Sequence, residues 1–249
     1  MNDFKVDKND KDIKTYNGFE YSILPDNTII ITGCFYDYEV LIVPNKIENK
    51  VVSTIKRNAF GNLKVEKIII PESISTIDGS PFYGCGYLTT IDVAPDNKTF
   101  AAIDNVLFCK TDRRLICFHS LNLRKYIIPN GIQIIGASAF HECWTLNEVE
   151  MSDSVKYINE NAFGWCTHLK NIILSDKLLE IGNFAFSNCI DLKSIKIPNS
   201  VKQIGLHAFW RCLEDLEILV GRNSYAKDYC KENNLRYKYF DDTDWLIVD

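Results

Sequence analysis

LKSIKIPNSVKQIGLHAFWRC, residues 192–212, is the stretch on which the fold turns. Ile195 and Ile197 alternate with Ser194 and Lys196, the two-residue period of a short strand with one buried face. Pro198 has no N–H to give a neighbouring strand, so the strand stops there. Val201 and Ile204-Gly205 predict a second short strand that turns a corner, with Gly205 suited to a tight turn. Ala208-Phe209 then sets a small residue beside a large one, and Cys212 follows the Phe by three.

The same order recurs along the chain. Ala-Phe pairs stand at Ala59-Phe60, Ala139-Phe140, Ala162-Phe163, Ala185-Phe186 and Ala208-Phe209, the last four 23 residues apart, and Pro81-Phe82 fills the role earlier. Cys85, Cys143, Cys166, Cys189 and Cys212 follow each Phe, with Leu63 in the first unit. Leu88, Leu146, Leu169 and Leu192 come next, Pro71 and Pro129 end strands as Pro198 does, and Gly136 and Gly182 repeat Gly205. One such unit cannot bury its own apolar face, but stacked neighbours bury it for each other, with parallel strands roughly 4.8 Å apart. The fold class is a repeat solenoid.

Residues 192–212 and their neighbours resemble the BspA-type leucine-rich repeat, the surface-antigen variety, over residues 15–240. The resemblance implies a curved leucine-rich-repeat-like stack with a parallel β-sheet on its concave face. It also implies adhesion or protein binding, often on the surface of bacteria and some protozoa, and no catalytic residues to carry over.

Around the repeat the chain divides into a charged tail (1–14), an N-terminal cap leading into the first coil (15–58), the solenoid (59–222), a C-terminal helical cap (223–240) and an acidic-then-apolar tail (241–249). The N-terminal cap reads as a β-hairpin turning at Asp26-Asn27. The last cap reads as a short helix over 223–234, capped by Asn223 or Ser224, with Tyr225, Tyr229 and Cys230 facing the last coil. The tail 241–249 is either a linear motif for a partner or an edge strand on the cap. The period breaks once, since Phe82 and Phe140 are 58 residues apart. The extra piece, a β-hairpin insert at about 94–122, reads as strand 106–110, polar turn 111–114 and strand 115–119. Such a hairpin is expected to project from the stack, as a decoration or as added binding surface.

Of the 249 residues, 46% are hydrophobic and 24% charged, enough for a continuous core. A net charge of -5 argues against a nucleic-acid partner. No apolar run is long enough to span a membrane. The first residues, MNDFKVDKNDKDIK, lack the apolar core of a secretory signal, so the expected location is cytoplasmic, with the cell surface as the alternative. Nine cysteines cannot all pair within one chain. Their spacing follows the core, where Cys acts as a small buried hydrophobe. Cys109 and Cys117 flank the hairpin turn and are the one pair that invites a disulfide. His141 beside Cys143 invites a nucleophile reading, weaker than that of a surface His beside a structural Cys. His119, His168 and His207 have no metal-ligand spacing, so no metal or cofactor is expected. Asn97-Lys98-Thr99 is a glycosylation triplet.

The informative candidates lie on the exposed face of the longer strands. By alternation they are Lys67 and Ile69, Thr90 and Asp92, Lys125 and Ile127, Glu148 and Glu150, Asn171 and Ile173, Ser194 and Lys196, expected as two columns on one sheet. Exposed isoleucines among charges suggest a strip for a protein partner, against the plainer reading that Ile suits strands even when exposed. Trp144, Trp165 and Trp210 fall in the loop after the Phe at different offsets. They are either binding hot spots or covers over gaps between coils. The functional expectation is a non-catalytic protein-binding scaffold. A surface adhesin for matrix protein or carbohydrate is second, and an enzyme is disfavoured.

Overall fold

A computed structural model describes residues 13–35, 39–119 and 123–240. The tail 241–249, nearly all of the tail 1–14, and the last residues of the 94–122 insert lie outside them. The chain opens with an antiparallel meander of β1 (Lys14–Tyr16), β2 (Phe19–Ile23) and β3 (Ile29–Cys34). Short strands β4 (Val40–Ile42), β5 (Lys46–Ile47), β6 (Lys50–Ile55), β7 (Lys67–Ile70), β8 (Thr76–Ile77) and β9 (Thr90–Val93) build the first coils. A second meander follows, β10 (Phe100–Ile103), β11 (Val106–Cys109) and β12 (Arg114–Phe118). The remaining coils hold β13 (Lys125–Ile128), β14 (Ile134–Ile135), β15 (Glu148–Met151), β16 (Tyr157–Ile158), β17 (Asn171–Ile173), β18 (Glu180–Ile181), β19 (Ser194–Lys196), β20 (Gln203–Ile204) and β21 (Glu217–Val220). Helix α1 (Tyr225–Glu232) and strand β22 (Tyr237–Tyr239) close the stack.

The predicted solenoid stands. Longer strands pair in parallel on one face, and two-residue strands pair in parallel at the corner as β12-β14-β16-β18-β20. Inside, the Phe rings stack coil on coil. Phe140 lies 4.8 Å from Phe163, Phe163 lies 5.3 Å from Phe186, and Phe186 lies 5.5 Å from Phe209, all nearly parallel. That spacing matches the step between paired strands, so each ring sits offset on the next.

The insert does not project. Its strands are buried on both sides, and β12 pairs in parallel with β14, so Leu115 begins the second corner column and Phe118 begins the second Phe stack, 4.9 Å from Phe140. Val106, Phe108, Leu115 and Phe118 belong to the core that runs on to the C-terminus, while Leu107, Cys109, Ile116 and Cys117 belong to the N-terminal core. The hairpin is therefore a wall between two cores. The physical reason is in its composition: VLFC and LICF are apolar on both faces, where a one-sided strand would alternate.

This wall repeats the N-terminal cap. Each meander turns at two residues with positive φ, Asn17-Gly18 and Asp104-Asn105, as a tight hairpin requires. Both slip register at the same step, after Glu20 and after Leu107. Both then feed a parallel corner strand five residues before a stacked Phe, Ile31 beside Ile55 and Leu115 beside Ile135. Only the outer face differs. Glu20, Ser22 and Thr32 are half-buried on the first meander, whereas Leu107, Cys109 and Ile116 are buried against the preceding coil.

Three smaller expectations are corrected. Gly136 and Gly182 do open turns, their carbonyls accepting the N–H of Ala139 and Ala185, but neither they nor Gly205 has positive φ, so conformational freedom is not why glycine stands there; a Cβ on Gly182 would stand 2.6 Å from backbone atoms of Asn159 and Glu160 in the coil beneath. Cys109 and Cys117 are both free thiols and do not face each other, Cys109 being opposite Arg114 and Cys117 opposite Leu107. At the C-terminal cap, Ser224 accepts the Lys227 N–H as N-cap, and Tyr229 and Cys230 are buried, but Tyr225 points outward. Beyond the helix, the cap includes β22, which extends the sheet.

Candidate binding face

The longer strands place the predicted residues in register. Lys67 pairs with Thr90 and Ile69 with Asp92. Lys125, Glu148 and Asn171 form one row, and Ile127, Glu150 and Ile173 the next. Ser194 and Lys196 stand beside Glu217 and Leu219. They do not form two unbroken columns on one sheet. Among the described residues the face consists of three separate ladders, β4-β7-β9, β13-β15-β17 and β19-β21-β22. The first break is where the wall displaces β13 from β9; for the second, between β17 and β19, the structure offers no comparable cause.

The charges on this face neutralise one another. Lys67 Nζ is 2.5 Å from Asp92 Oδ2, and Lys125 Nζ lies 2.7 Å from Glu148 and 3.5 Å from Glu150. The Glu148 hydrogen bond, then Glu150, hold Lys125 above the usual lysine range. Exposed pairs of this kind contribute roughly 0–1 kcal/mol, so their effect is to pair off the charge around the isoleucines. Ile127 and Ile173 are 57% and 54% exposed, while Ile69 is half-buried. At the C-terminal end Lys196 is taken up by the Phe240 ring, 4.7 Å from its centroid. The sequence reading missed Val40 and Ile42, which continue the rows beside Lys67 and Ile69, with Ile42 63% exposed. The signal was present: Leu41-Ile42-Val43-Pro44 repeats the form of Ile195-Lys196-Ile197-Pro198.

Trp144, Trp165 and Trp210 are all exposed, and Trp144 and Trp210 each border a cleft. Trp210 lies edge-on to Phe184, 6.2 Å away, and carries the Arg211 guanidinium on its face. Asn97, the glycosylation candidate, is buried: its amide donates to the carbonyls of Pro71 and Ile74 and its oxygen accepts from Thr99 and Phe100.

The cysteine column is structural. Each thiol donates to the carbonyl of the Phe in the preceding coil, Cys85 to Phe60 at 2.9 Å, Cys166 to Phe140 at 2.9 Å, Cys189 to Phe163 at 3.2 Å and Cys212 to Phe186 at 3.1 Å. Burial pushes Cys85 and Cys212 up to about 11 and Cys166 up to about 12, so at neutral pH they are thiols and poor nucleophiles. Cys143 donates more weakly, at 3.6 Å, to Phe118 of the wall. Here the two halves meet around a cleft of about 170 Å³ bordered by Tyr83, His119, His141 and Trp144. His141 is half-buried rather than superficial; its Nδ1 has no partner, its ring lies 5.1 Å from that of Tyr83, and burial pushes it down to about 4. The Cys143 thiol donates to the Phe118 carbonyl, and burial raises it while lowering His141, so both side chains are held away from the thiolate–imidazolium pair. Among the described residues no group of three His, Cys, Asp or Glu could hold a metal.

A pH dependence follows. The folded state disfavours the imidazolium of His141, and burial lowers His119 in the same direction. An unfolded His takes a proton near 6.5. The contribution is therefore complete above that pH and is lost as pH falls toward 4, on the order of 2 kcal/mol for His141 after allowing for its partial exposure. Thermal midpoints of wild type and His141→Gln are expected to converge across this window, the variant falling less steeply; parallel curves would contradict it.

The profile of the BspA-type leucine-rich repeat region matches six copies, over residues 15–115 and 111–234. The chain belongs to the BspA-type leucine-rich repeat family. Among solved structures, it is similar to a leucine-rich cell surface protein of Faecalibacterium prausnitzii A2-165, with 19% identity and a TM-score of 0.61 over 92% of this chain and 94% of that one. A leucine-rich repeat protein of Eubacterium ventriosum ATCC 27560 shares 16% identity with a TM-score of 0.55, over 84% and 78%. The pneumococcal vaccine antigen PcpA shares 14% with a TM-score of 0.51, over 91% and 98%. At these identities the likeness shows the fold alone. No curated protein matches the chain. BspA-type repeats are in general scaffolds for binding, and no described helix here is long and apolar enough to cross a membrane.

Proposed function

We propose that this BspA-type chain is a non-catalytic scaffold that binds a protein partner on the strip Lys67, Ile69, Thr90, Asp92, Lys125, Ile127, Glu148, Glu150, Asn171, Ile173, Ser194 and Lys196, extended by Val40 and Ile42. The observation that carries this reading is the exposure of Ile42, Ile127 and Ile173 on strand faces whose neighbouring charges are already paired. Desolvating such a face removes apolar area from water while leaving few unpaired charges to strip of solvent. The thiols and imidazoles being accounted for by the repeat and by burial supports a non-catalytic role.

Ile127→Lys with Ile173→Lys tests it. Both side chains are solvent-facing, so stability is expected to move by less than about 0.5 kcal/mol. Proteins retained by the immobilised wild-type chain from lysate or surface extract of the source organism are expected to be lost from the variant. An identical retained set, with the urea midpoint unchanged, would remove the strip from consideration. The second reading, a surface adhesin for matrix protein or carbohydrate, is favoured by the name of the Faecalibacterium cell surface protein. Protease shaving of intact cells separates a surface from a cytoplasmic location.

A further inference from the structure

The last coil and the C-terminal cap enclose a second groove, independent of the strip. It has a volume of about 420 Å³ and an apolar floor that includes Phe209, Leu216 and Ile218. Arg211 and Arg236 both border it, with Glu214 the one carboxylate in the lining, so the rim is positive on balance. Neither guanidinium forms an ion pair or a hydrogen bond among the described residues. Arg211 is held in place by the Trp210 ring, 4.3 Å from its centroid, which removes part of the ordering cost of capturing an anion.

The backbone around the groove follows the repeat. Every coil from Phe140 onward, and the first, has left-handed residues two before and two after the stacked Phe. In the first coil these are Asn58 and Asn62, a residue type that tolerates this conformation. In the last coil they are His207 and Arg211, at φ 54° and 55°, and both border the groove. Glu142, Trp165 and Phe184 hold the corresponding positions in the coils between, so the left-handed conformation belongs to the repeat as a whole.

We infer that this groove binds the carboxyl terminus of a peptide whose last side chain is apolar. Two unpaired guanidiniums beside an apolar floor call for a carboxylate and an apolar group close together. A C-terminal Leu, Ile, Val or Phe carries both on one residue, whereas an internal acidic residue separates them by a peptide unit. The volume suits one or two residues.

Isothermal titration of the full chain with acetyl-Ala-Ala-Ala-X, where X is Leu, Ile, Val or Phe, compares each free acid with its C-terminal amide. At least one acid is expected to bind, its amide at least about tenfold more weakly, since a charge-assisted contact is lost. Arg211→Gln and Arg236→Gln are each expected to weaken the acid by a similar factor, with the urea midpoint unchanged. Equal binding of acid and amide overturns the inference. So does the absence of any acid binding tighter than about 1 mM, or an affinity that neither arginine substitution alters.

Discussion

Truncating Phe118 to alanine is expected to destabilise the chain by about 3–5 kcal/mol, the range for a buried Phe that leaves a cavity. The ring is buried between Tyr126, 4.7 Å away, and Phe140, 4.9 Å away, and it opens the Phe stack of the C-terminal core. Nothing precedes it in that stack, so no ring can slide in to fill the space. Ile116→Ala, on the opposite side of the same strand, is expected to lose about 2–5 kcal/mol from the N-terminal core. Urea unfolding followed by far-UV circular dichroism measures both. A loss under about 1 kcal/mol from each would mean the hairpin is a decoration after all, and the wall would have to be abandoned.

Gly182→Ala is expected to cost about 3 kcal/mol, at the upper end of ordinary overpacking. The added methyl meets backbone of Asn159 and Glu160, not the end of a flexible side chain. Relief requires the two coils to part, and that breaks the pairing of β16 with β18 on which the corner depends. Gly86→Ala is the control, because a Cβ there meets no atom within 4 Å and its φ is not positive. It is expected to stay within about 0.5 kcal/mol of wild type or to gain slightly by restricting the unfolded chain. If both glycines respond alike, the close approach of the coils is not what Gly182 serves.

Much of the fold was legible because a repeat states each constraint several times. The alternation around Ile195, the Ala-Phe step and the cysteine three residues later each recur with the coil, so chance agreement is excluded by repetition. The rows of the binding face were legible for the same reason, since a period of two assigns Ile127 and Ile173 to the outer side without any knowledge of neighbours. Val40 and Ile42 were passed over because the coil that contains them lacks the Ala-Phe and Cys marks that precede the others. The role of the insert was misjudged. Its hairpin was readable, but Cys117-Phe118 does not look like Ala-Phe, and a strand apolar on both faces is explained only by what lies on each side of it. Whether Lys125 is paired, whether Trp210 is exposed and whether Arg236 is free depend on residues distant in sequence.

By itself, then, the sequence determined the repeat unit, the stacking direction, the inward Phe and Cys columns and the outward strand residues, because all of these follow from spacing within one coil and its neighbour. Only the tertiary structure decided that a copy of the N-terminal cap divides the core in two, that the face is three ladders, and that the last coil and cap leave a groove. Those are properties of surfaces meeting across the interruption and at the end, where the period no longer specifies what a residue touches.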